Sequence, residues 1–115
     1  MITFWHNPRC SKSRAALALL QDAGATLTIR KYLEVSPSRD ELDHIAHKLG
    51  LPPSAMIRTG EKSYEDQELD QVDSEDMLLD AMSETPILIE RPIAIRGSRA
   101  VIGRPPENVL TLLDH

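Results

Sequence analysis

The tightest constraint on this fold is the order in which apolar periodicity changes between Ile2 and Tyr32. Ile2–His6 is apolar, β-branched and aromatic, and it reads as a strand that begins almost at the terminus. Asn7-Pro8-Arg9 is a turn, because Asn and Pro both favour one. A helix then starts near Cys10 or Ser11. Ala16, Leu19, Leu20 and Ala23 fall at i, i+3, i+4 and i+7 and predict its apolar face, and Gly24 is the expected stop. Leu27–Tyr32 returns to a strand pattern. Two strands joined by one helix predict a βαβ unit.

The middle of the chain is helical in character. Ser38-Arg39-Asp40-Glu41 is a capping box, and Leu42, Ile45, Ala46 and Leu49 form a stripe behind it that Gly50 ends. Pro52-Pro53 opens a short helical turn carrying Ala55, Met56, Ile57 and Arg58. Ser74 caps a further helix, with Glu75 and Asp76 in its first turn and Met77, Leu78, Ala81 and Met82 facing inward. Strand character returns at Ile87–Ile89 and at Ile93–Ile95. Gly97-Ser98 is a hairpin turn, Ala100–Ile102 is the return strand, and a last helix covers Glu107–Leu113. The order β-α-β, helices, β-β-α predicts one α/β domain over residues 1–115. Its plan resembles thioredoxin: a four-stranded mixed sheet flanked by helices, with a helical insertion.

Composition narrows the function. With 115 residues, 41% hydrophobic and 27% charged, the chain has the make-up of a globular domain. Its net charge of −5 argues against nucleic acid or an anionic membrane as partner. Acids crowd Glu61–Glu90, where Lys62 is the single base, whereas four Arg and two acids follow from Arg91 on. A local anion site is therefore compatible with the overall charge. The single cysteine rules out an internal disulfide. The opening residues have no basic lead, and the longest apolar run, Ala15–Leu20, is too short for a membrane span, so the cytoplasm is the expected location. His44 and His47 share a helix face but have no third ligand, and no metal site is expected.

The chemistry centres on Cys10. A thiol at a helix N-terminus faces free N–H groups and a partial positive charge, which stabilise the thiolate. His6, Arg9, Lys12 and Arg14 lie nearby in sequence. Cys10-Ser11-Lys12-Ser13 is C-x-x-S: Ser13 cannot form a disulfide but its hydroxyl can donate to the thiolate, so turnover needs an outside thiol. A phosphatase loop would need C-x5-R, and here Arg14 gives C-x3-R, too short to wrap a phosphate with its own amides. Arg58, Arg91 and Arg104 could supply the anion contacts, since a guanidinium fork suits a tetrahedral oxyanion. Pro92, inside an apolar run, marks an edge or an irregular start. Trp5 is expected in the core.

His6–Arg14, with Tyr32-Leu33-Glu34, Pro37–Leu42, Pro86–Ile93 and Gly103-Arg104-Pro105, resembles the glutathione- and glutaredoxin-dependent arsenate reductases, in order and over nearly the whole chain. The resemblance implies a thioredoxin-like fold with a helical insertion. It implies Cys10 as nucleophile, His6 as the histidine that tunes the thiol, and Ser13 as the serine that hydrogen-bonds the thiolate. It also implies Arg58, Arg91 and Arg104 as the anion-binding arginines and Pro92 as a cis-proline. The implied reaction turns arsenate into arsenite through a Cys10 thiol-arsenate adduct, with no bound cofactor. Glutathione is the external reductant and glutaredoxin clears the mixed disulfide. Two other readings keep the fold: another glutathione-linked thiol oxidoreductase that needs no arginine triad, and a non-catalytic interaction or regulatory module.

Overall fold

The computed structural model describes residues 1–113 and divides into two units. The first comprises residues 1–35 and the chain from Arg91 onward, and the second is Ser36–Glu90.

The first unit holds the sheet. Strand β1 (Ile2–Trp5) lies between β2 (Leu27–Arg30), to which it is parallel, and β3 (Ile93–Arg96), to which it is antiparallel. Strand β4 (Arg99–Ile102) pairs antiparallel with β3, giving the order β2-β1-β3-β4. Gly97, in the turn joining β3 to β4, takes φ 59°, a left-handed conformation that glycine adopts without a Cβ penalty.

The register places Phe4 opposite Ile29 and Ala94, and Trp5 opposite Arg30 and Ile93. Side chains alternate along a strand, so Ile2, Phe4 and Ala94 share one face. They pack with Ala16 and Leu20 of helix α1 (Ser11–Asp22) and with Val109 and Leu112 of the 3-10 turns Pro106–Leu113. Fully burying a side chain such as Phe4 or Leu20 is worth about 1.5–3 kcal/mol. Trp5 is buried and stacks on Tyr32 at 6.4 Å, with the Arg30 guanidinium carbon 5.4 Å from its ring centre.

Helix α1 ends where expected. Gly24 has φ 76°, and Ala25 N–H reaches back to the Leu20 carbonyl at 3.1 Å. The phase of its buried face differs from the expected one. Ser13, Ala16 and Leu20 are buried, Leu17 packs against the core, and Ala23 is exposed. Ile29 is 45% exposed, because β2 is an edge strand of the sheet.

The second unit is the helical insertion between β2 and β3. Helix α2 (Arg39–Leu49) carries the full capping box: Glu41 N–H donates to Ser38 Oγ, and Ser38 N–H donates to Glu41 Oε1, each at 3.1 Å. Gly50, at φ 70°, closes the helix. Helix α3 (Lys62–Asp66) and a 3-10 turn at Leu69–Gln71 lie within the acidic stretch, and neither was expected. Helix α4 (Glu75–Glu84) starts at Ser74, whose Oγ accepts from Met77 N–H. It buries Leu78, Leu79, Ala81 and Met82 and leaves Met77 exposed, so the inward face is turned from the expected one by exchanging Met77 for Leu79.

Two further expectations are corrected here. Pro86–Leu88 is a 3-10 turn rather than a strand: proline at its first position suits a helical start. Ile89 alone pairs, in an antiparallel bridge with Ile57, flanked by Arg58 N–H to Leu88 O and Glu90 N–H to Met56 O, both 2.7 Å. The helical turn at Pro53–Ala55 accordingly ends before Ile57, and Arg58 leaves the bridge rather than the turn. No helix among the described residues is long and apolar enough to cross a membrane.

Candidate active site

Strand β1 runs into the loop His6–Arg9, and Cys10 is the N-cap of α1 in an extended conformation. The loop is fixed by its own residues. Arg9 N–H donates to Asn7 Oδ1 at 3.1 Å, Cys10 N–H donates to the Asn7 carbonyl at 3.0 Å, and Arg14 Nη1 donates to the Pro8 carbonyl at 2.8 Å. His6 N–H still bonds the Arg30 carbonyl at 2.8 Å, so the sheet ladder reaches the start of the loop.

No side-chain hydrogen bond caps α1. The N–H groups of Ser13 and Lys12, at the start of the helix, favour the negatively charged form of the Cys10 thiol. Burial pushes the thiol up, and this is the largest single effect. The Ser13 N–H, the Arg91 guanidinium by hydrogen bond and by charge, and the Lys12 N–H together outweigh it, and the thiol lies below its ordinary value. Cys10 remains partly accessible.

Arg91 is the most unusual group in the unit. Its Nε and Nη1 are buried with no hydrogen-bond partner among the described residues. Unpaired buried donors on a charged group are costly, at about 1–3 kcal/mol or more each, and native proteins seldom keep them without a reason. An oxyanion beside Cys10 would satisfy them. The Arg91–Pro92 peptide is cis, and so is Arg104–Pro105. Pro92 is buried, and Gly103 packs on it. A Cβ at Gly103 would lie 2.7 Å from Pro92 Cγ and 3.0 Å from Val109 Cγ1, and Gly103 N–H donates to the Pro92 carbonyl at 2.8 Å.

Ser13 acts differently from the expectation. Its hydroxyl, fully buried, accepts from Asn7 N–H at 3.0 Å and shares a 2.7 Å hydrogen bond with His6 Nδ1. The thiolate is met by the Ser13 backbone N–H, because the serine sits one turn into a helix whose N–H groups point back at Cys10. His6 is also buried. Burial first, then the charges of Lys31 and Arg14, lower its pKa, so the ring stays neutral near pH 7. It orients Ser13 and adds no positive charge to the thiol.

The first unit therefore brings together His6, Ser13, Cys10, Arg91 and Pro92. Arg104 is exposed, on the segment after β4, and its carbonyl accepts from Asn108 Nδ2 at 3.1 Å. Arg58 belongs to the second unit, where its Nη1 pairs with Glu61 Oε2 at 2.9 Å. Sequence reasoning missed Gly103 as a packing partner of Pro92. Its signal was a lone glycine at the end of a strand, where a close approach is common.

A sheet of this order, with a lowered thiol at the N-terminus of its first helix and a proline beside that thiol's guanidinium partner, defines a thioredoxin-like thiol protein. A family model described as the ArsC family matches residues 5–112, and the chain belongs to that family. It is 47% identical over 114 residues to an arsenate reductase of Haemophilus influenzae, covering 97% of this chain and 98% of that one. An arsenate reductase of Escherichia coli is 38% identical over 113 residues, covering 97% of this chain and 80% of its own length. The solved structure of an arsenate reductase from Vibrio cholerae superimposes with a TM-score of 0.93 at 46% identity, over 96% of this chain and 95% of the other.

Proposed function

We propose that this chain is an arsenate reductase in which Cys10 is the nucleophile, glutathione the reductant and glutaredoxin the partner that regenerates the enzyme. The observation that carries the reading is the pairing of a lowered Cys10 thiol with a buried Arg91 guanidinium that has two donors unpaired.

Arg91 holds the oxyanion through its free donors, and the resemblance assigns the same role to Arg58 and Arg104. The Cys10 thiolate attacks arsenic and an S–As bond forms, while one As–OH oxygen takes a proton from solvent, breaks its bond to arsenic and leaves as water. A glutathione thiolate then attacks the Cys10 sulfur. A Cys10–glutathione disulfide forms and the S–As bond breaks with its electron pair on arsenic, which departs as arsenite, two electrons richer. The thiol of glutaredoxin attacks the glutathione sulfur and releases Cys10 as thiolate. Positive charge at Arg91 stabilises the oxygens as charge shifts onto them.

The test is arsenate-dependent NADPH oxidation coupled through glutathione reductase, glutathione and glutaredoxin, with Cys10→Ser alongside. Activity that is lost in the variant supports the proposal. A folded protein with a reactive Cys10 and no arsenate turnover overturns it and favours another glutathione-linked thiol reaction.

A further inference from the structure

Beside the Cys10 loop the first unit carries a cavity of about 310 Å³. One wall is the His6–Arg9 segment, and the other is Lys31, Leu33 and Glu34. We propose that this cavity seats the resolving thiol, a small zwitterionic peptide bearing two carboxylates and one ammonium group, of which glutathione is the example. This rests on the function proposed above and adds to it the place where the reductant binds.

The charges make the case. Arg9 and Lys31 are cations and Glu34 is an anion, all lining the same space. Among the described residues none of the three side chains has a salt bridge or hydrogen bond. Two cations and one anion complement two carboxylates and one ammonium, group for group. Their placement is local. A turn in which Glu34 N–H and Val35 N–H both donate to the Lys31 carbonyl at 2.9 Å sets Lys31 and Glu34 on either side of Leu33. Leu33, 40% exposed, offers an apolar contact for the peptide's methylene groups.

Size and position agree. The volume falls at the low end of the ~300–1,000 Å³ of small-molecule sites. The Asn7 that lines it accepts a hydrogen bond from the Cys10 N–H, and the Arg9 that lines it precedes Cys10 in the chain. Cys10 does not itself line the cavity, so the seated peptide must extend its thiol, which lies between its two charged ends, past Arg9 to reach the Cys10 sulfur.

The experiment titrates S-methylglutathione, which keeps the charges but has no free thiol, into isotope-labelled protein and follows the amide NMR shifts. Saturable shifts concentrated at Asn7, Arg9, Lys31, Leu33 and Glu34 are expected. Lys31→Glu should weaken binding about tenfold, the effect of exchanging an exposed ion pair for a like-charge contact. The unshifted resonances report that the variant keeps its fold. An absence of saturable shifts, shifts centred elsewhere, or binding that Lys31→Glu leaves unchanged would overturn the proposal. Arsenate turnover on the same preparations separates the two readings. Turnover without cavity shifts overturns the cavity and keeps the reaction, whereas cavity shifts without turnover support the cavity and overturn the reaction.

Discussion

Replacing Gly103 by alanine should disturb the thiol from outside its immediate surroundings. The new methyl would sit 2.7 Å from Pro92 Cγ, 3.2 Å from Pro92 Cδ and 3.0 Å from Val109 Cγ1. Non-bonded carbons prefer about 3.5–4.0 Å, so at least one neighbour must move by several tenths of an ångström. Neither can do so easily. Val109 is fully buried in the core with Phe4 and Leu20, and the Pro92 ring is closed onto its own backbone. Overpacking of this kind costs roughly 1–3 kcal/mol. For a chain of this size that lowers the unfolding midpoint by about 4 °C per kcal/mol. Pro92 follows Arg91 directly, so a displaced ring carries the guanidinium with it, and the Cys10 thiol should titrate higher than in the parent. The assays are thermal unfolding and the pH dependence of Cys10 alkylation. Gly60→Ala is the control, since a Cβ there meets nothing within 4 Å. A Gly103→Ala protein as stable as the Gly60→Ala control, with an unmoved alkylation profile, would refute the packing chain from Gly103 through Pro92 to Arg91.

Three further outcomes follow from the same geometry. Ser13→Ala leaves Asn7 N–H and His6 Nδ1 without their partner and should destabilise by about 1–3 kcal/mol in a denaturant titration. The Cys10 pKa should move little, because the thiolate is met by the Ser13 backbone N–H. His6 has a pKa lowered by folding, so the unfolded chain binds the extra proton first as pH falls. Its contribution is full above the unfolded value of about 6.5 and is lost as pH drops below that, and His6→Asn should flatten the slope of stability against pH in that window. Ser38→Ala removes one half of the α2 capping box and should cost about 1 kcal/mol, measured by thermal unfolding, with no change in Cys10 reactivity.

Much of the fold was legible because local chemistry decides it. The capping box at Ser38–Glu41, the closing glycines Gly24, Gly50 and Gly97, and the apolar run Ile2–Trp5 each fix a conformation within a few residues. What failed was phase and pairing. The run Ala15–Leu20 is apolar on every side, so spacing alone could not say that Leu17 rather than Ala23 packs on the core. Met77, Leu78 and Leu79 are consecutive, and only tertiary contacts turn Leu79 inward and Met77 out. Ile87–Ile89 has strand composition, but Pro86 starts a helical turn and only Ile89 finds a partner, Ile57, far away in sequence. At the site, Cys10 was legible from its place between strand and helix. The bond of the Ser13 hydroxyl to His6, and the unpaired donors of Arg91, were not, because they depend on segments that only the folded sheet brings together.

The central claim is that the N–H groups of α1 and the Arg91 guanidinium lower the pKa of the Cys10 thiol against the upward push of its burial. The chain has one cysteine, so the ultraviolet absorbance of the thiolate, followed against pH and corrected with the Cys10→Ser protein for the two tyrosines, reports on that group. The expected inflection lies below the ordinary free-thiol value, and Arg91→Ala should move it upward. An inflection at or above that value, or one that Arg91→Ala does not shift, would contradict the account.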